Sequence, residues 1–71
     1  MASPQRQSRI YALREHLSSH IKMLIEELNL FFDNPVGVAG HQDYFESIQE
    51  KLVKLSEYQG ALDALEDHFN E

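Results

Sequence analysis

Residues 34–43 read NPVGVAGHQD, and here a cluster of helix-breaking residues interrupts a sequence that is otherwise periodic. Pro35 cannot continue a preceding helix, because it has no backbone N–H and its ring clashes with the previous turn. Gly37 and Gly40 adopt positive φ without steric cost, and His41 to Asp43 supply polar groups for a new helix start. We therefore predict that the chain reverses direction here and forms an all-α hairpin of two antiparallel helices.

Upstream of this reversal the sequence predicts one helix over about residues 4–32. Ser3 is typical of an N-cap, and Pro4 suits the first helical position, where its missing N–H costs nothing. Apolar residues then recur at steps of three and four, which is the period of one helical face. That face carries Ile10, Leu13, Leu17, Ile21, Leu24, Leu28 and Phe31.

Downstream the sequence predicts a second helix over about residues 42–69. Asp43 and Glu46 have the spacing of a capping box, with Gly40 or His41 as alternative caps. The main apolar stripe has a mean spacing of about 3.5 residues, which favours packing as in a coiled coil. It comprises Phe45, Ile48, Leu52, Leu55, Leu62, Leu65 and Phe69. Gln59 interrupts this stripe, and Gly60 beside it lies in the interior of the helix, either as a tolerated surface glycine or as a point of close approach to another helix.

The two stripes match when the helices run antiparallel, with Leu28 level with Ile48 and Ile10 level with Leu65. A two-helix hairpin, however, buries each helix on one side only. Further apolar residues lie off the matched stripes, and we assign them to an oligomer interface: Met23, Ile25, Leu30, Phe32, Tyr44, Val53 and Tyr58. The sequence therefore predicts self-association, most simply as a dimer that forms a four-helix bundle.

Length and composition exclude several classes of protein. The 71 residues make one small domain, no cysteine is present for a disulfide, and a 42% hydrophobic content broken by charges argues against a membrane span. The net charge is −6, and its excess lies in the second half, so we expect no direct nucleic-acid binding. No apolar run typical of a signal peptide opens the chain, which predicts a soluble protein of the cytoplasm.

The sequence predicts neither catalysis nor a metal or cofactor site. His16 and His20 stand four residues apart, a spacing at which two imidazoles share a metal ion, but no third ligand is evident nearby. The alternative interpretation is two polar flank residues or histidines at a subunit interface. No serine, histidine and acid can be combined by their spacing into a nucleophilic site, so we predict that the protein is not an enzyme.

The reversal is itself a candidate anion site. The glycine-rich entry to the second helix presents unpaired N–H groups, and a hypothetical site here comprises Gly37, Gly40, His41 and Lys51. Several such loops brought together by self-association could hold a small anionic ligand such as a cyclic nucleotide. The alternative interpretation is that the glycines only make the turn and His41 caps the helix.

The pattern Asn34-Pro35-x-Gly37 followed by His41-x-Asp43 resembles small helical proteins encoded by tailed bacteriophages, over the loop and second helix, about half of the chain. That group has Gly-Glu before the histidine, where this chain has Ala39-Gly40. The resemblance implies an accessory or counter-defence protein acting in the host cytoplasm. We therefore favour an inhibitor or adaptor that binds a host protein, through its apolar flank or through the acidic residues Glu46, Glu50, Glu57, Asp63 and Asp67.

Overall fold

The computed structural model describes residues 3–33 and 41–70, with the side chains of His41 and Gln42 left out. It contains two helices, α1 (Pro4–Asp33) and α2 (His41–His68). These bounds agree with the predicted ones to within one residue at each end, and no strand occurs in the two described ranges. The predicted reversal at 34–40 lies outside the described residues. The all-α helical hairpin is thus confirmed as the fold of the described chain.

The start of α1 follows from its first residues as predicted. The backbone N–H of Arg6 donates to Ser3 Oγ at 3.1 Å, and the N–H of Gln7 donates to the carbonyl oxygen of Ser3 at 3.0 Å. Ser3 therefore satisfies donors that the first helical turn leaves unpaired. In α2 the first helical residue is His41, so Asp43 lies inside the first turn instead of capping it. Its carboxylate there still interacts favourably with the helix dipole.

Contacts along the rod establish the antiparallel order. The Arg6 guanidinium lies over the Phe69 ring at the free end, 5.9 Å from its centroid, and Ile10 packs in one cluster with Leu65. Near the reversal, the Phe31 and Tyr44 rings meet edge to face with centroids 5.4 Å apart. The pairing of Ile10 with Leu65 is the predicted one, which confirms the register at this end of the hairpin.

The core is a single line of side chains between the two helices. Its members are Ile10, Leu17, Ile21, Leu24, Leu28, Ile48 and Leu65, each between 5% and 9% exposed. None of the described side chains falls below 2% exposure. A rod with Cα extents of 56 × 15 × 13 Å has too few layers to enclose a residue on every side.

Four residues predicted to lie on the matched stripes are instead exposed: Leu13 (49%), Phe45 (65%), Leu52 (46%) and Phe69 (45%). The prediction treated every member of a 3.5-residue repeat as facing the partner helix. In an α-helix of 3.6 residues per turn such a repeat drifts around the axis, and with one neighbouring helix the drifting members meet solvent. Neither described helix combines the length and the apolar character that crossing a membrane would take.

Candidate functional site

The plane through the two helix axes divides the hairpin into two long sides, which differ in chemistry. The first, here called the ion-pair side, carries His20 and Glu27 from α1 and Lys51 and Tyr58 from α2. Lys51 Nζ lies 3.0 Å from Glu27 Oε2 and 5.7 Å from the centroid of the Phe31 ring. One groove on this side is lined by these four residues together with Met23, Leu24, Glu50 and Lys54. The charges here are therefore matched within the chain.

Stacked rings continue the ion-pair side toward the middle of the rod. The His20 ring lies nearly parallel to the Tyr58 ring, with centroids 5.0 Å apart and planes at 14°. His16 meets His20 edge to face at 4.5 Å. No group of three or more potential metal ligands occurs among the residues that the structure describes. The pair of histidines thus packs against the second helix through an aromatic contact.

The opposite side, here called the apolar side, is formed by four exposed residues. They are Ile25 (42%), Phe32 (62%), Phe45 (65%) and Leu52 (46%). Successive residues of a helix are about 100° apart, so Ile25 and Phe32, seven residues apart, lie on one face of α1 two turns from each other. Phe45 and Leu52 have the same relation on α2. This side is the candidate functional site.

Register and rotation bring the four residues into one patch. Leu52 follows buried Ile48 by one turn, and Ile25 precedes buried Leu28 by three residues, so each borders the core line. Because Glu27 pairs with Lys51, residues near 25 in α1 are level with residues near 52 in α2. Ile25 is therefore level with Leu52, and Phe32 with Phe45. Ile25 and Leu52 are each rotated in the same sense away from the core line of their own helix. Because the two right-handed helices run antiparallel, the same sense of rotation leads to the same side of the hairpin, which is the side opposite Glu27.

The predicted interface residues do not form one surface. Ile25 and Phe32 lie on the apolar side, whereas Met23 lines the groove of the ion-pair side. Leu30 (71%) and Val53 (50%) are exposed on the outer faces of their helices. The two tyrosines are half-buried by contacts within the chain. Tyr44 meets Phe31 and Phe45 edge to face, and Tyr58 stacks on His20. Phe45 and Leu52 were missed as surface residues, although their seven-residue spacing mirrors that of Ile25 and Phe32.

The predicted acidic face is also divided. Glu46, Glu50 and Glu57 share one shallow groove on the outside of α2, here called the acidic groove, which is completed by Gln49, Val53 and Lys54. Asp63 lies six residues after Glu57, about a third of a turn around the helix. It accepts a hydrogen bond from Gln59 Nε2 at 3.2 Å. Asp67, ten residues after Glu57, is rotated away in the same direction.

The hypothetical anion site lies largely beyond what the structure describes. Gly37, Gly40 and the side chain of His41 are outside the described residues. Lys51, the remaining member, is engaged by the Glu27 carboxylate, which sequence reasoning did not pair with it. An anion binding through Lys51 would compete with that carboxylate.

Comparison of the chain with protein-family models, with curated proteins and with solved structures finds no match. The two sides of the hairpin are therefore the features that bear on function. One of them has polar groups matched within the chain, and the other carries large apolar side chains in contact with water.

Proposed function

We propose that this chain is a non-catalytic helical module that self-associates and then binds a host protein. The apolar side is the observation that carries the proposal. Monomeric proteins rarely leave contiguous apolar patches of more than a few hundred Å² in water, and larger ones mark interaction sites. Here Ile25, Phe32, Phe45 and Leu52 form one patch of large apolar side chains, each at least 42% exposed, beside a core in which every member keeps some exposure.

The energetic reason is the small size of the core. Seven buried residues stabilise the described hairpin, while ten large apolar residues are at least 42% exposed. Removing a half-exposed Leu, Ile or Phe from water contributes roughly 1 kcal/mol. A partner surface that covers four of them on each copy would contribute several kcal/mol, comparable with the stability of a small domain.

The polar groups that meet on the hairpin support a structural role. Glu27 pairs with Lys51, Asp63 accepts a hydrogen bond from Gln59, and His20 stacks on Tyr58. The first two contacts pair polar groups with each other, and the third packs the two rings together. An interaction module needs rigid helices with such satisfied flanks, so that its binding surface keeps one shape.

The acidic groove is the surface proposed for the host protein, because it lies on the outside of α2 and remains available after self-association. Glu46, Glu50 and Glu57 flank Val53 there, which gives an apolar contact between carboxylates. This pattern fits a partner segment with basic residues around an apolar one. The identification of that partner as a bacterial protein rests on the resemblance to phage proteins.

Sedimentation velocity across micromolar concentrations tests the self-association. We expect at least twice the 8.2 kDa mass of one chain, with a fully helical circular dichroism spectrum. A folded monomer at all concentrations contradicts the proposal.

The host interaction is tested by pull-down from bacterial lysate, with the variant Glu46→Gln/Glu50→Gln/Glu57→Gln as matched control. A partner that uses the acidic groove is retained by the wild-type chain and lost by this variant, whose mass in solution is unchanged.

A further inference from the structure

We infer that the apolar side is covered by a second copy of this chain, with both reversals at the same end of the dimer. The inference rests on the proposed self-association and specifies its geometry. The two-fold axis runs along the rod, so α1 of one copy lies against α2 of the other. In that arrangement Ile25 meets Leu52 of the second copy, and Phe32 meets Phe45 of the second copy.

The available area fits a second hairpin. One long side of the rod measures 56 by 15 Å between Cα positions, or about 840 Å². A stable protein interface covers about 800 Å² on each partner. As a projected outline, the whole length is of the size that a stable interface needs, whereas half of the length, about 420 Å², provides half as much.

The distribution of apolar residues selects the orientation. The patch occupies the half of the side near the reversal, between residues 25–32 of α1 and 45–52 of α2. The other half of the same side carries Arg14, Ser18, Gln59 and Asp63. If two antiparallel copies are aligned so that their patches meet, the copies overlap over only half of the rod. If they are aligned over the whole rod, the apolar residues of one copy face the polar residues of the other. Only the parallel arrangement covers the full length and joins patch to patch.

Charges in the polar half fit the same arrangement. Arg14 is half-buried on the flank of α1 that also carries Ile25, and Asp63 is exposed on the corresponding flank of α2. The antiparallel register makes the two residues level, because Ile10 packs in one cluster with Leu65. The two-fold axis then places Arg14 against Asp63 of the second copy, twice in each dimer. Opposite charges meet where the apolar contact ends.

Cysteine cross-linking tests the geometry, because the chain contains no cysteine of its own. Ile25→Cys and Leu52→Cys are prepared as separate chains, mixed, allowed to exchange and oxidised mildly. We expect a disulfide-linked heterodimer as the main product of the mixture and little cross-linking of either variant alone. The matched control is the mixture of Met23→Cys and Val53→Cys, which lie at the same level of the rod but away from the apolar side, Met23 in the groove of the ion-pair side and Val53 in the acidic groove. It should remain at least tenfold less cross-linked.

Each outcome decides a separate point. Efficient cross-linking of Ile25→Cys with itself indicates α1 against α1 and overturns the parallel arrangement. Preferential cross-linking of the control mixture overturns the choice of side. In both cases a dimeric mass for the wild-type chain leaves the proposed self-association intact, whereas a monomeric mass contradicts that proposal itself. Circular dichroism of each variant verifies that the helices are retained.

Discussion

The ion-pair side and the apolar side are built from the same two helices, yet the residues that line them differ in how far they contact one another. On the ion-pair side, Lys51 reaches Glu27 and Tyr58 stacks on His20, so long side chains from α2 bridge the groove between the helices. On the apolar side, Ile25 and Leu52 are level but leave nearly half of their surfaces in water. The comparison teaches that a two-helix unit can bridge one flank with its own long side chains while its other flank stays open to solvent.

A charge in the core line should produce the largest effect, since both sides depend on it. Leu28 is 5% exposed, and Leu28→Asp buries an unpaired carboxylate. We expect a loss of several kcal/mol, enough to abolish the cooperative thermal transition followed by circular dichroism. Leu28→Met, which keeps the volume, should change the stability by less than about 1.5 kcal/mol. A normal melting curve for Leu28→Asp would contradict the assigned core.

A charge on the apolar side should dissociate the assembly, and it should disturb the helices of each copy less than a charge in the core line does. Leu52→Asp places a carboxylate in the proposed interface twice per dimer. We expect the dissociation constant to rise at least a hundredfold, about 2.7 kcal/mol. Val53→Asp is the matched control, because Val53 is similarly exposed but faces outward. Light scattering at equal concentrations should give a monomer for the first variant and the wild-type mass for the second.

Leu52 and Val53 show how much of this structure could be predicted from the sequence. The helix bounds were predictable, because Ser3-Pro4 and the proline and glycines of 34–43 are local signals of helix ends. The number of apolar residues also predicted more surface than one hairpin can bury. Which of these apolar residues lie on which side could not be predicted from spacing alone. Repeats of 3.5 and 3.6 residues differ by only a small angle per turn, so the spacing does not fix the direction of each side chain. Leu52 and Val53 are adjacent in the sequence, and only the rotation of α2 against α1 distinguishes them.

The ion pair on the satisfied side should contribute little to stability. Lys51 and Glu27 are 26% and 49% exposed, so solvent screens their attraction. Glu27→Gln should lower the free energy of unfolding by about 0.5 kcal/mol and leave the mass in solution unchanged. A change in mass would mean that this side also belongs to an interface. Glu26→Gln, one residue earlier, serves as the control for loss of a single negative charge.

Gly60 tests whether the outer face of α2 is free. A Cβ built there meets no atom within 4 Å in one chain. Alanine in a helix interior is favoured over glycine by about 1 kcal/mol, so Gly60→Ala should raise the melting temperature and preserve the mass. Destabilisation or dissociation would instead indicate that another helix approaches closely at Gly60. That result would move the interface away from the apolar side.

A small effect should come from the charges that flank the apolar patch, and it reports on the orientation of the two copies. Arg14→Glu alone sets like charges against Asp63 of the second copy, and Asp63→Arg alone does the same against Arg14. A mixture of the two variants restores opposite charges at both contacts between copies, while the charges within each chain stay as unfavourable as before. Exposed pairs contribute less than 1 kcal/mol each, so we expect the heterodimer to form only a few-fold more tightly than either homodimer. Native mass spectrometry of the mixture measures this preference, which should decline with added salt. Arg14→Glu mixed with Glu57→Arg is the control, because Glu57 belongs to the acidic groove. An equal preference in that control mixture would assign the effect to overall charge and remove the support for Arg14 lying against Asp63 of the second copy.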